Sequence, residues 1–288
     1  MKHQAHKLEE LFNKKEPRTT QTRVIAITSG KGGVGKTTIS ANIGYLLAKR
    51  GLNVGLFDAD IGLANLDVML GVKANKTILN LLRGECSIEE IVLPIGDSSL
   101  FLIPGESGGE ILRFSDQFMM DRFYDEIKKL DFLDYLIIDT GAGIGETVQM
   151  FLNAADDVIV VTVPDPAAIT DAYAMIKILS AKKKRVSMLL NQAQSDKEGE
   201  KVYEKVRKIA LSNMPDLELA LAGIVHRDDE VSRSVRSRYL FSKEISSGKT
   251  VAKMEEIADR ITQVEQNMLQ GEQESGFGRF FKRLLNQF

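Results

Sequence analysis

Hydrophobic and polar positions along the chain fall into two alternating rhythms. Unbroken apolar runs recur at Val24–Thr28, Val54–Phe57, Leu100–Ile103, Tyr135–Ile138, Val158–Val163 and Val186–Leu190. Each is too short for a helix and rich in Val, Ile or Leu, as expected of strands buried on both faces. Between them the apolar spacing lengthens to the helical period, in Thr37–Arg50, closed by Gly51, and in Ile111–Leu130. Helix starts are marked by a capping box, Ser87-x-x-Glu90, by Asp165 with Pro166 at the first helical position, and by Ser195-x-x-Glu198. The unbroken βα alternation predicts one α/β domain built on a mostly parallel, twisted sheet with helices on both faces.

Both ends depart from this rhythm. In residues 1–21, Leu8, Leu11 and Phe12 recur at helical spacing, followed by Lys14, Lys15, Pro17 and a polar Thr-Thr-Gln-Thr stretch. At the other end, Gly271-Glu-Gln-Glu-Ser-Gly276 reads as a linker. Beyond it Phe277, Phe280, Phe281, Leu284, Leu285 and Phe288 line one helical face, while Arg279, Lys282 and Arg283 occupy the other. Such a basic amphipathic helix suits an anionic membrane surface. Full burial of six bulky side chains is worth ~9–18 kcal/mol, and ordering twelve residues costs about as much. Three basic groups near anionic lipid add about 1 kcal/mol each. One tail is therefore marginal, and two tails on one dimer gain from effective concentration. The predicted boundaries are 1–21, an extension; 22–270, the α/β domain; and 271–288, linker and membrane-binding helix.

Composition narrows the context. The 288 residues are 43% hydrophobic, enough for a large core, and 38 basic against 40 acidic residues leave no global field for nucleic acid. A patch of Arg227, Arg233, Arg236 and Arg238 is diluted by Asp228, Asp229 and Glu230, so nucleic acid is not an expected partner. The run Lys182–Arg185 reads as a solvated helix end. A single cysteine, Cys86, forbids an internal disulfide and points to a reducing compartment. No apolar run approaches a membrane span and the first residues do not resemble a signal peptide, so a cytoplasmic location is expected. His3, His6 and His226 lack metal-ligand spacing.

Chemistry concentrates in Gly30-Lys31-Gly32-Gly33-Val34-Gly35-Lys36-Thr37-Thr38, which fits G-x-x-x-x-G-K-[ST] between a strand and a helix. Glycines let backbone N–H groups converge on phosphate oxygens, and the helix start adds positive charge. Lys36 is expected on the β- and γ-phosphates of ATP, or on the β-phosphate of ADP, and the Thr37 hydroxyl on Mg²⁺. Lys31, near the loop's start, is better placed to reach another subunit's nucleotide than its own. Asp139 ends a buried strand, where open α/β sheets hold ligands, and is assigned to Mg²⁺ and γ-phosphate sensing.

The segment Lys31-Gly-Gly-Val-Gly-Lys-Thr-Thr38 resembles the deviant Walker A motif of the MinD/ParA class of P-loop ATPases. Phe57-Asp58-Ala59-Asp60-Ile61-Gly62-Leu63-Ala64-Asn65-Leu66-Asp67 resembles the first switch of that class, and Ile138–Gly143 the second. The resemblance implies an Mg²⁺-dependent ATPase that forms a homodimer around two ATPs, with Lys31 acting in trans. It also implies that Asp60 orients the attacking water, that Asp58 is an outer-shell Mg²⁺ partner and that Asn191 contacts adenine. Arg227 and Asp228 fall in a second adenine-side loop, where His226 replaces the family's proline. The nitrogenase iron protein, a relative with a similar loop, needs two cysteines per subunit and is excluded.

The extension narrows the resemblance further. Gln4-Ala5-x-x-Leu8 is similar to the D-Q-A-x-x-L-R motif of FlhG proteins, also called YlxH or FleN, which control flagellar number and placement. His3 and Glu9 depart from that motif. The resemblance implies docking of Gln4 and Leu8 on the FlhF GTPase, contacts with flagellar basal-body proteins, and an ATP-bound dimer on the inner face of the cell membrane. The alternatives are a MinD cell-division site selector and a ParA-like DNA partition ATPase.

Overall fold

The computed structural model describes residues 22–60, 66–96, 98–105, 117–245, 248–265, 276–285 and 287. The extension with Gln4 and Leu8, switch residues 61–65, the start of the expected 111–130 helix, and Phe288 lie outside the described residues.

Eight strands form one sheet: β1 (Arg23–Ser29), β2 (Val54–Ala59), β3 (Leu93–Pro94), β4 (Leu100–Ile103), β5 (Tyr135–Ala142), β6 (Asp157–Thr162), β7 (Arg185–Ala193) and β8 (Glu218–His226). Their order is β3-β4-β2-β5-β1-β6-β7-β8. All pairings are parallel except β3 with β4. The predicted strands are all present, most of them longer than the apolar run that announces them. β1, β2 and β5 are buried almost throughout because helices cover both faces.

The helices are α1 (Lys36–Lys49), α2 (Leu66–Leu70), α3 (Ile78–Leu82), α4 (Gln117–Lys128), α5 (Glu146–Ala154), α6 (Pro166–Leu179), α7 (Asp196–Asn213), α8 (Asp229–Ser237), α9 (Phe241–Glu244), α10 (Lys249–Glu265) and α11 (Gly276–Leu285). The signals read from sequence act as expected. Asp165 accepts the Ala168 N–H at 3.0 Å, Ser195 accepts the Glu198 N–H at 3.2 Å, and Ser87 and Glu90 cap a short 3-10 turn. Gly51 closes α1 at φ +84°, a left-handed conformation that glycine adopts without Cβ strain.

One apolar core lies on each face. The first joins α1 and α10 to the sheet through Ile39, Ile43, Met254 and Ile257. The second holds Phe57, Phe123, Phe151 and, from α11, Phe280, Phe281 and Leu284. These three tail residues are at most 1% exposed. Phe281 meets the rings of Phe123 and Phe57 at centroid distances of 5.1 and 6.1 Å, and Phe280 stacks on Phe151 at 6.3 Å. The helix read from sequence as membrane-binding is therefore docked on its own domain in this structure. Its basic face is engaged too: Arg279 and Arg283 approach Asp156 Oδ1 at 3.3 and 3.0 Å.

Lys183 corrects the reading of its run as a solvated helix end. Its ammonium donates to the Ala155 carbonyl, and burial pulls its pKa down despite the pull of Asp156.

The outer rim of β8 is decorated by side-chain donors. Tyr203 donates to the Leu219 carbonyl at 2.7 Å, and Arg260 to those of Leu221 and Ala222 at 3.1 and 3.3 Å.

Candidate nucleotide site

The C-terminal ends of β1, β2 and β5 bring the sequence-predicted residues together. Residues 30–35 leave β1 and turn into α1, with Gly33 at φ +78° and Gly35 at φ +93°. Glycine is required at both, since an L side chain is strained there. At Gly30 the constraint is contact: a Cβ would lie 2.4 Å from the backbone of Asp171 on α6. The loop is tied down elsewhere as well. Ser29 Oγ donates to the Lys31 carbonyl at 2.7 Å, and the Gly143 N–H donates to the Ser29 carbonyl at 2.8 Å. The α1 start supplies unpaired N–H groups and dipole charge, the requirements of a phosphate cradle.

The two loop lysines have opposite surroundings. Lys36 is buried at the start of α1. Lys31 is half exposed and its Nζ lies 3.6 Å from Asp165 Oδ1. The N-cap bond from Ala168 and the Lys31 charge hold Asp165 below its ordinary pKa.

Three carboxylates face this loop. Asp58 and Asp139 pair in register on β2 and β5. Asp139 is 1% exposed, and Ser40 Oγ donates to it at 2.9 Å. Burial raises its pKa to about 7, with Asp58 adding to the rise and hydrogen bonds from Thr37 and Ser40 opposing it. Asp58 accepts the N–H groups of Leu66 at 3.2 Å and Asp60 at 3.3 Å, gripping both ends of the first switch. Burial also raises Asp60, against the charge of Lys36. Gly141 leaves room for it, since a Cβ there would lie 3.2 Å from Asp60 Oδ1.

This donor set fits Mg²⁺. Among the described residues no three His, Cys, Asp or Glu side chains cluster into a protein-only cage. Mg²⁺ takes one or two carboxylates and fills its octahedron with water and phosphate oxygens. Thr37, Asp139 and Asp58 would hold it, and it would supply charge neutralisation at the phosphates.

A cavity of about 110 Å³ opens beside α1, lined by Thr38, Asn191, Gln192, Val225, Arg227 and Asp228 among others. Asn191 is buried, and its amide is engaged with the loop: Nδ2 donates to the Val34 carbonyl at 2.8 Å and Oδ1 accepts the Gln192 N–H at 3.0 Å. Asp228 caps α8 through the Glu230 N–H and accepts the Thr250 hydroxyl at 2.7 Å. His226 pairs with Asp196 at 3.0 Å. Sequence reasoning missed Ser40 and Gln192, and read Asp165 only as a helix cap. Ser40 alone had a legible signal, lying one helical turn after Lys36.

Known proteins share this arrangement. The ParA family profile, described as the NUBPL iron-transfer P-loop NTPase, matches residues 20–262. The flagellum site-determining protein YlxH of Helicobacter pylori is 47% identical, over 99% of both chains. This chain belongs to the ParA/MinD family of P-loop NTPases. Within that family it falls with the flagellar regulators: the antiactivator FleN of Pseudomonas aeruginosa is 34% identical over 83% of this chain and 86% of its own. Among solved structures, MinD in the MinC:MinD cell division complex of Aquifex aeolicus covers 84% of this chain and 96% of its own, at 29% identity and TM-score 0.67. The MinD of Pyrococcus horikoshii complexed with Mg-ADP shares the fold at TM-score 0.66 and 23% identity, over 85% of this chain and 97% of its own.

As a ParA/MinD-type ATPase the chain carries its nucleotide machinery on rigid strand ends. Among the described residues no helix is long and apolar enough to cross a membrane.

Proposed function

We propose that this chain is an Mg²⁺-dependent ATPase switch that dimerises around ATP, attaches to the inner membrane surface and sets flagellar number or placement with an FlhF-type GTPase. The observation that carries the reading is the contrast between its two loop lysines. Lys36 is buried at the phosphate cradle, whereas Lys31 lies half exposed beside Asp165. A cation turned outward at the edge of a phosphate site is available to a second copy's triphosphate. A charge supplied in trans is worth ~10³–10⁵ in rate in related phosphoryl transfers. In this reading Asp60 orients the water, Thr37, Asp58 and Asp139 hold Mg²⁺, and hydrolysis to ADP and phosphate separates the dimer.

Likeness to YlxH and FleN supports the flagellar role, and the Gln4 to Leu8 motif supports the partner. The membrane role belongs to α11 after release from its groove, where Phe280, Phe281 and Leu284 would exchange core for lipid. Light scattering with a non-hydrolysable ATP analogue tests the first step. A chain that stays monomeric at saturation removes the switch. Deleting residues 1–21 should abolish stimulation of the FlhF-type GTPase while leaving ATP hydrolysis intact. Co-purification with MinC instead would point to division-site selection.

A further inference from the structure

β7 carries one residue too many at its nucleotide end. Leu190 pairs with Ile224 and Ala193 with His226, so Asn191 and Gln192 together stand opposite Val225 alone. This is a β-bulge, rare between parallel strands and enriched beside active sites, where it re-aims a side chain. In a regular strand Asn191 and Gln192 would point to opposite faces. Here Gln192 takes a left-handed conformation, φ +57°, and both residues line the cavity beside Thr38. Such a φ is uncommon for a residue with a Cβ, and strain of this kind gathers at ligand sites. The Arg227 N–H donates to the Ala193 carbonyl at 2.9 Å, which ties the bulge to the loop on the cavity's other side.

The two amides of the bulge are engaged differently. Asn191 is committed to the phosphate loop: its Nδ2 donates to the Val34 carbonyl, its Oδ1 accepts the Gln192 N–H, and a Cβ on Gly35 would lie 2.5 Å from Nδ2. Across the cavity, Asp228 accepts the Glu230 N–H through Oδ1 and the Thr250 hydroxyl through Oδ2. His226 is paired with Asp196. Gln192 is exposed, and among the described residues its carboxamide has no hydrogen-bond partner. It brings a free donor and a free acceptor, side by side, to the cavity wall. Adenine presents the complement, a 6-amino donor next to a ring nitrogen that accepts.

We infer that Gln192 reads the base of the bound nucleotide. Its Oε1 accepts from the 6-amino group of adenine and its Nε2 donates to the neighbouring ring nitrogen, while Asn191 braces the phosphate loop. The inference rests on the nucleotide-site reading above and assigns base selection within it to one amide.

The test is titration calorimetry of the full-length chain with Mg²⁺ and two diphosphates, ADP and purine riboside diphosphate, which differ only in the 6-amino group. The parent should bind ADP about three- to tenfold more tightly, the worth of one amide hydrogen bond. Gln192→Ala should bind the two about equally. Gln192→Gly deletes the amide and also relieves the left-handed backbone, so discrimination should vanish while the melting temperature rises. A merely structural role for Gln192 would not give that pair of changes. Gln192→Glu keeps the acceptor and should keep part of the preference. A preference for ADP that survives in both Gln192→Ala and Gln192→Gly overturns the inference, as does a parent that binds both diphosphates equally. A parent that binds neither overturns the nucleotide site itself.

Discussion

Asp58 and Asp139 stand opposite each other on adjacent parallel strands, one strand spacing apart at the mouth of the phosphate loop. Two neighbouring carboxylates in so dry a place resist double ionisation, which is part of why Asp139 rises to about 7. In protein free of nucleotide and Mg²⁺, the raised pKa makes stability fall as pH climbs from about 3.8 to about 7, because the folded state holds the extra proton. Asp139→Asn removes this dependence. Its melting temperature should exceed that of the parent by a margin that widens from pH 4 to 7 and then stays constant. The same variant should lose Mg²⁺-dependent turnover. Calorimetry across pH and a phosphate-release assay measure the two effects.

Lys31→Ala should reduce turnover by ~10³ or more while ATP binding to the monomer changes by only a few-fold. Asp165→Asn should act in the other direction, since it removes the charge beside which Lys31 lies. Its dimer should form at lower ATP concentration, measurable by light scattering in a nucleotide titration. If neither variant alters dimerisation, Lys31 does not act between copies.

Asn191 offers a direct choice between two roles. If its amide braces the loop through Val34, Asn191→Ala should weaken ATP and GTP binding by similar factors. It should also cost about 1–3 kcal/mol of stability, because a buried carbonyl loses its donor. If the amide reads adenine, ATP binding alone should fall and the ratio between the two nucleotides should collapse. Titration calorimetry with both nucleotides decides.

Asp156 anchors the docked tail helix through Arg279 and Arg283. Asp156→Ala should loosen α11 and raise sedimentation of the nucleotide-free protein with anionic vesicles several-fold. Phe281→Ala acts on both sides of the exchange. It should destabilise the fold by about 3–5 kcal/mol and also weaken vesicle binding. Unchanged sedimentation for Asp156→Ala would mean that its ion pairs do not hold the helix back.

Much of the architecture was legible because β1, β2 and β5 are buried on both faces, which leaves unbroken apolar runs that no helix would produce. The phosphate loop was legible because its glycines and lysines answer to ligand geometry. Other parts obey long-range contacts that no local pattern carries. β8 was not anticipated: its alanines and Gly223 mute the apolar signal, and Gly223 is needed because a Cβ would lie 2.4 Å from Ile257. α10 was missed because its charged face outweighs its buried stripe. The tail's amphipathic pattern was read correctly as a helix, yet lipid and an aromatic groove ask for the same residues. Only the placement of Phe57, Phe123 and Phe151 distinguishes them. Lys183 likewise hides in a polar run, and a distant carbonyl gives it its place.

Both borders of the sheet are closed to strand addition. On one side lies β3, two residues long, antiparallel, and ending in Pro94, which has no N–H to offer. On the other, Tyr203 and Arg260 already occupy carbonyls along β8. Among the described residues the sheet thus offers a second copy no open edge on which to add a strand. Contacts between copies are thereby left to loops and helices, which can part without unzipping a sheet.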